Sequence, residues 1–255
     1  MGNAATIRAQ VEGILEARIP SAHTPKLRAF QSPMSCGIKD IDGLEAFPRG
    51  TLAEICGLPS TGRTTLLYGL LANCTAGGEA AAMIDVTDTF DPVSASQAGV
   101  VLSELLWVRC GEVRSQDRFR SPLEQALAAA ELLLQSGGFG LLALDLGNVP
   151  ETTVRRISLT SWFRFRRGVE QTQTLFVVLE RQSNAGTSSA NVLDLSQSGI
   201  EVETNATTSK LRHIDGDCLI RTLRTRAEVL RGQLRKPLRS ICPVGEFSTS
   251  LQAFR

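Results

Sequence analysis

The run Ala53-Glu54-Ile55-Cys56-Gly57-Leu58-Pro59-Ser60-Thr61-Gly62-Arg63-Thr64-Thr65 places two glycines five positions apart, then a cation and two hydroxyls. This is the spacing GxxxxGK[ST] with arginine in the lysine position. In such a loop the turn between Gly57 and Gly62, with Ser60 and Thr61 inside it, aims backbone N–H groups at phosphate oxygens. The start of the following helix adds partial positive charge, and a cation reaches the β and γ phosphates. The hydroxyl of Thr64 is placed for Mg²⁺, and Thr65 extends the helix start. Arg63 keeps the positive charge, but its guanidinium is planar, longer and forked where an ammonium is a compact point charge. A second carboxylate is needed at the end of a neighbouring apolar strand, and Leu141-Leu142-Ala143-Leu144-Asp145 offers Asp145 as a Mg²⁺ ligand through water.

The elements that must position these residues follow from hydrophobic periodicity. Strands are expected at 52–56, 80–84, 105–108, 140–144 and 174–179, and helices at 64–73, 92–99, 123–135 and 154–169. This alternation predicts an α/β fold with a central, mostly parallel sheet flanked by helices and joined by right-handed crossovers. Weaker strand patterns follow at 199–204 and 217–225. An amphipathic helix is expected over 4–18, with Ile7, Val11, Ile14 and Leu15 on one stripe and Pro20 closing it. It packs either on its own domain or on a neighbouring subunit. The expected organisation is an N-terminal helix and linker over 1–30, a core over 31–225 and a basic extension over 226–255.

The chain of 255 residues is 42% hydrophobic and 21% charged, which excludes disordered and fibrous classes. No stretch has the roughly 18 unbroken apolar residues of a membrane span, and Arg8, Glu12, Glu16 and Arg18 interrupt the N-terminus, so a cytoplasmic protein is expected. The six cysteines are scattered without a CxxC pair, which argues against a zinc site or a disulfide framework. The formal charge of +1 divides unevenly: residues 1–150 carry 11 cations and 16 anions, so a polyanionic partner should meet the C-terminal half.

These motifs resemble those of the RecA family of recombination ATPases from about Cys36 to Val202. Gly37-Ile38-Lys39-Asp40-Ile41-Asp42 with Pro48-Arg49-Gly50 resembles the approach to its phosphate loop, and Gly57 to Thr65 stands for the loop itself. Ile84 to Pro92 resembles the segment whose aspartate-proline pair contacts adenine, a role that passes to Asp91 and Pro92. Thr174 to Arg181 resembles the strand leading into the second DNA-binding loop. The resemblance implies a RecA-type P-loop fold with ATP and Mg²⁺ as ligands.

The chain departs from that pattern at three catalytic parts. Thr87 stands where the family has the water-activating glutamate, Arg181 stands where it has the glutamine that senses the γ-phosphate, and Arg63 replaces the lysine. A threonine cannot act as a base near neutral pH. The loop from Gln182 to Ala190 is also shorter than the recombinase loop. These losses, with the chain length and a basic tail, are similar to the ImuA group, bacterial accessory proteins of damage-induced mutagenesis. That likeness implies an ImuB-like protein and an error-prone polymerase, or a RecA filament, as partners. Two other readings remain open at this point. One is an active DNA-dependent ATPase using another carboxylate, Asp88 or Glu54. The other is a nucleotide-free scaffold for RecA or a polymerase.

Candidate contacts to single-stranded DNA or a partner lie in two basic segments. Residues 155–167 interleave Arg155, Arg156, Arg164, Arg166 and Arg167 with Trp162, Phe163 and Phe165, which suits phosphates beside base-stacking rings. The same segment would equally form a helix whose aromatics cover the sheet while the arginines meet water or acidic groups. The stretch from 221 to 239 sets Arg224, Arg226, Arg231, Arg235 and other cations against the single carboxylate Glu228. Arg181 joins this set from the start of the shortened loop. Self-association is expected, and residues 247–255 form a candidate docking peptide.

Overall fold

A parallel strand covered on both faces is apolar along its whole length; the runs at 141–144 and 175–179 have that character, and 52–57 has it apart from Glu54. In the computed structural model, which describes residues 32–111, 121–170, 172–203, 219–232 and 244–250, each of these runs is a buried strand. The strands are β1 (Leu52–Gly57), β2 (Ala80–Asp85), β3 (Leu105–Arg109), β4 (Phe139–Asp145), β5 (Leu175–Glu180), β6 (Asn191–Glu203), β7 (Leu219–Arg231) and β8 (Val244–Ser250). They form one sheet in the order β3-β2-β4-β5-β1-β6-β7-β8. Every neighbouring pair from β3 to β6 is parallel, and β7 and β8 close the far edge antiparallel. The helices are α1 (Lys39–Asp42), α2 (Arg63–Ala76), α3 (Pro92–Gln97), α4 (Pro122–Ser136), α5 (Glu151–Val154) and α6 (Leu159–Val169). The expected mostly parallel α/β sheet is the one observed.

Alternation along the strands sorts the core into two layers. Leu66, Leu67, Leu70 and Leu71 of α2 pack with Ala53, Ile55, Leu141, Ala143 and Val177 on one face. On the other, Ala126 and Ala130 of α4 join Trp162 and Phe165 of α6 over Leu142, Leu144, Phe176 and Val178. The α6 layer is anchored by aromatic edges: Trp162 meets Phe165 at 6.0 Å and Phe165 meets Phe176 at 5.5 Å between ring centroids, both edge to face. The aromatics of the 155–167 segment that are buried, Trp162 and Phe165, therefore cover the sheet, while Phe163 is exposed.

Three boundaries differ from expectation. The single helix expected over 154–169 is two pieces, because Ser158 adopts an extended conformation and its hydroxyl accepts the Ser161 N–H at 3.1 Å, starting α6 afresh. The helix expected over 92–99 ends at Gln97, and Gly99 leaves it with φ 97°. The core does not stop at 225. β7 runs through that position, with Thr225, Ala227 and Val229 buried and Arg224 and Arg226 turned outward, so residues 226–231 belong to the sheet. The reason is periodicity: every second residue of this basic stretch is small or apolar, a half-buried strand pattern. Residues 247–250, expected within a free docking peptide, lie in β8 and pair with β7. The 4–18 helix, Arg235 and residues 251–255 lie outside the described residues. Among those described, Cys36, Cys56, Cys74 and Cys110 are free and buried, and no helix is long and apolar enough to cross a membrane.

Trp162 is 1% exposed and centres its layer. Trp162→Ala is expected to cost about 3–5 kcal/mol of stability in urea or guanidinium unfolding.

Candidate functional site

The buried strand β1 hands the chain to the loop at Gly57, whose φ is 150°. A Cβ at this position would lie 2.6 Å from Thr61 Oγ1 and 2.7 Å from the Leu195 carbonyl, so glycine is required by space as well as by backbone angle. Thr61 Oγ1 donates to the Leu58 carbonyl at 2.7 Å and closes the turn, and Thr225 Oγ1 of β7 donates to the Thr61 carbonyl at 3.1 Å and props it from outside. Ser60 and Gly62 take left-handed angles, φ 64° and 86°, which turn the chain into α2. Gly62 is the residue before the helix and supplies no side-chain cap, so the first-turn N–H groups of α2 are left for an external acceptor. Thr61 is buried and its hydroxyl is committed to the turn, so its side chain holds the loop's shape.

Beside the loop is a cavity of about 190 Å³ whose lining includes Ser60, Arg63, Thr64, Tyr68, Phe90 and Asp145. Arg63 and Asp145 are its charged lining residues among those described. Asp145 ends β4 and accepts the Gly147 N–H at 2.8 Å. Burial raises its carboxyl pKa, an effect that this hydrogen bond and the Arg63 charge oppose. Arg63 reaches the same turn: a Cβ on Gly147 would lie 2.8 Å from Arg63 Nη1 and 3.0 Å from Asp145 Oδ1. Arg181 Nε donates to the Gly147 carbonyl at 3.4 Å. Arg63, Asp145 and Arg181 thus converge on one residue, although their sequence positions are far apart.

Arg63 Nη1 is buried without a hydrogen-bond partner among the described residues. Burial lowers the pKa of this guanidinium, Asp145 raises it and Arg181 lowers it again. A buried N–H donor without an acceptor costs about 1–3 kcal/mol, more when charged, and a phosphate oxygen is the acceptor that such a donor lacks. The residues present therefore fit a phosphate group. Thr64, exposed at the helix start, and Asp145 are the pair that would hold a divalent ion beside it.

The segment after β2 is organised by a carboxylate that the motif reading passed over. Asp85 is fully buried and accepts N–H groups from Thr87 at 3.3 Å, Thr89 at 3.1 Å, Phe90 at 2.8 Å and the Trp107 indole at 3.4 Å. The signal for it is its place, a lone acid ending an apolar strand just before a turn. Thr87 carries only a hydroxyl, 3.2 Å from that of Thr89. Asp91 caps α3: its carboxylate accepts from the N–H groups of Val93 and Ser94 and from the Ser94 hydroxyl, which holds its pKa below the usual range. Asp91 and Pro92, expected on a nucleotide base, lie outside the cavity lining, whereas Thr89, Phe90 and Tyr68 are part of it.

The two carboxylates expected as substitute bases are both committed elsewhere. Asp88 is held by Arg109 through two bonds of 2.7 and 2.6 Å, which depresses its pKa. Glu54 points to the other face of the sheet, where it accepts from Ser183 Oγ at 2.9 Å, Asn184 N–H at 2.9 Å and Ala185 N–H at 2.8 Å. It is paired there with Glu180, also buried and bonded to the Asn184 side chain at 2.8 Å. Burial, then the hydrogen bond to Glu54 and its charge, push the Glu180 carboxyl up to about 10, so Glu180 keeps its proton at neutral pH. This buried acid pair fastens the start of the Gln182–Ala190 loop to the sheet.

The basic residues do not form one surface. Arg155 pairs with Glu151, Arg164 with Glu131 at 3.2 Å and Arg166 with Glu170 at 3.0 Å, while Arg156 and Arg167 are exposed. Arg166 and Arg231 meet at a second cavity, of about 350 Å³, beside Thr187, Ser188 and Ser189. Arg166 donates there to the Thr187 carbonyl at 3.1 Å and Arg231 to the Gly186 carbonyl. Arg224 and Arg226 lie on the outer face of β7. Arg181, expected with the DNA-facing set, stands instead at Gly147 beside the phosphate loop, because β5 ends between β1 and β4.

Residues 19–154 match the family model described as the RecA N-terminal domain. The chain is 36% identical to RecA of Borreliella afzelii (strain PKo) over 129 residues, which is 47% of this chain and 33% of that protein. It is 36% identical to RecA of Thermus aquaticus over 122 residues, 48% of this chain and 33% of that protein. The matches therefore span about a third of the length of these curated relatives.

The acid pair sets a pH dependence. An exposed glutamate loses its proton near 4.5, but folded Glu180 keeps it to about 10. Its contribution to stability is fully present below the unfolded value and is lost as pH rises through the folded one. Glu180→Gln, which retains a hydrogen-bond donor, is expected to flatten the fall of unfolding free energy with pH across this window in urea melts at several pH values. Gly57→Ala is expected to cost about 3 kcal/mol or more by the same measurement.

Proposed function

We propose a function from the premise that the chain belongs to the RecA N-terminal domain family: it binds ATP weakly at the Gly57–Thr65 loop and hydrolyses it inefficiently, as an accessory of DNA damage tolerance. The observation that carries this reading is the state of the carboxylates around the loop. Asp145 faces Arg63, Asp85 is consumed by backbone N–H groups, Asp88 is paired with Arg109, and Glu54 lies on the opposite face. Thr87 offers no base. None of these is poised to take a proton from an attacking water.

The binding role falls to groups that need no proton transfer. The first-turn N–H groups of α2 and the Ser60 segment are placed to receive phosphate oxygens, and the guanidinium of Arg63 supplies charge beside them. Thr64 and Asp145 are the residues that would hold Mg²⁺, which when bound neutralises phosphate charge. Tyr68 and Phe90, in edge-to-face contact at 5.7 Å, wall the cavity on its inner side. The accessory role is supported by the short loop after Glu180, tied down by Glu54 instead of being free to enter a duplex. It is the role of the ImuA group, with translesion synthesis in the damage-induced (SOS) response as its setting. An ImuB-like protein, an error-prone polymerase or a RecA filament would be its partner in the cytoplasm. Self-association and single-stranded DNA contacts through Arg156, Arg167 and the outer face of β7 belong to the same reading.

The test combines binding of a fluorescent ATP analogue with turnover in one preparation. Binding is expected, with slow turnover that single-stranded DNA does not raise, and Arg63→Ala is expected to weaken binding about tenfold, the worth of one charge-assisted hydrogen bond. Turnover stimulated by DNA would replace this reading with that of an active ATPase.

A further inference from the structure

The charges around the cavity are arranged unusually for a site that takes an anion together with a metal ion. Asp145, the carboxylate among the cavity's described lining residues, is already matched by Arg63. Arg63 has a buried Nη1 with no acceptor among the described residues. Arg181 adds a second guanidinium at the same turn, exposed and fixed there through Gly147. Of the two acids flanking Thr87, Asp85 has its oxygens filled by N–H donors and Asp88 is paired with Arg109. A divalent cation entering here would meet one carboxylate and two fixed positive charges. A polyphosphate would meet Arg63 in the cavity, its Nη1 without an acceptor among the described residues, with the exposed guanidinium of Arg181 alongside at Gly147, and a guanidinium can bond two oxygens at once.

We propose that Arg63 and Arg181 supply the positive charge that a divalent cation brings to such loops, so that the site takes the bare polyphosphate of a nucleotide and Mg²⁺ does not raise its affinity. This rests on the nucleotide-binding reading above and deepens it. Arg181 is the positioning element of the pair: its Nε bond to the Gly147 carbonyl holds the turn that carries both Asp145 and the contact to Arg63. The cation and the arginines are alternatives for the same phosphate charge, so adding one when the other is in place brings little.

The experiment titrates the full chain with a fluorescent ATP analogue, read by anisotropy, once in excess EDTA and once in Mg²⁺, with inorganic tripolyphosphate as competitor. The two dissociation constants are expected to agree within about twofold, and tripolyphosphate to compete equally in both. Arg181→Gln is expected to weaken binding about tenfold in EDTA, with Mg²⁺ recovering most of the loss, while Arg181→Lys keeps metal-independent binding. Circular dichroism melts check that each variant folds, and Arg181 is exposed, so neither change disturbs the core. Wild-type binding that is about tenfold or more tighter with Mg²⁺ would overturn this inference and leave the nucleotide-binding reading standing. Absence of binding in both buffers would overturn both.

Discussion

β1 is hydrogen-bonded on both edges, to β5 and to β6, and buried along all six residues. A strand held in this way cannot bend or slide, so the chain leaving it must turn within a few residues under fixed geometric limits. Gly57 is the outcome of that limit, since the Leu195 carbonyl of the neighbouring strand leaves no room for a side chain. The threonine that closes the turn and the one that props it, Thr61 and Thr225, complete a loop held from inside by its own side chain and from outside by a strand more than 160 residues later. Loop shape is thus a property of the whole sheet, including the antiparallel strands at its edge.

A second constraint is the cost of burying carboxylates. Four acids sit on the central strands, Asp85, Asp145 and Glu180 at the carboxyl ends of β2, β4 and β5 and Glu54 within β1. Buried charge must be paired, hydrogen-bonded or neutralised, and each acid meets this differently. Asp85 gathers backbone N–H groups, Glu54 accepts N–H groups of the loop it anchors, Glu180 keeps its proton, and Asp145 relies on Gly147 and on Arg63. The replacement at position 63 is therefore coupled to the carboxylate across the cavity, and the arginine at 181 belongs to the same set. Electrostatics joins two departures from the family pattern, Arg63 and Arg181, into one local arrangement around Asp145.

The basic residues illustrate how composition and structure diverge. The arginines of the 155–167 segment are largely spent on glutamates one helical turn away or on α4, and its buried aromatics cover the sheet. The later basic stretch is half core: its alternate positions are Thr225, Ala227 and Val229, packed on the α2 side. A high cation count thus marks a strand's outer face here as much as a binding surface.

Much of the molecule was legible in the sequence. Apolar runs bounded by glycine and separated by amphipathic stretches gave the order of strands and helices, because burial on two faces and helical periodicity leave a local imprint. The phosphate loop was readable because its glycines are required by backbone geometry within a few residues. The break at Ser158 was less so, since a hydroxyl can either sit in a helix or cap one, and the packing of Ile157 and Trp162 decides. Only the tertiary structure could place Arg181 beside Arg63, assign Asp91 to a helix cap, and turn Glu54 away from the cavity. Those outcomes depend on which strands are neighbours and on the face toward which a side chain points, and neither strand order nor side-chain charge compensation is encoded in any short stretch of chain.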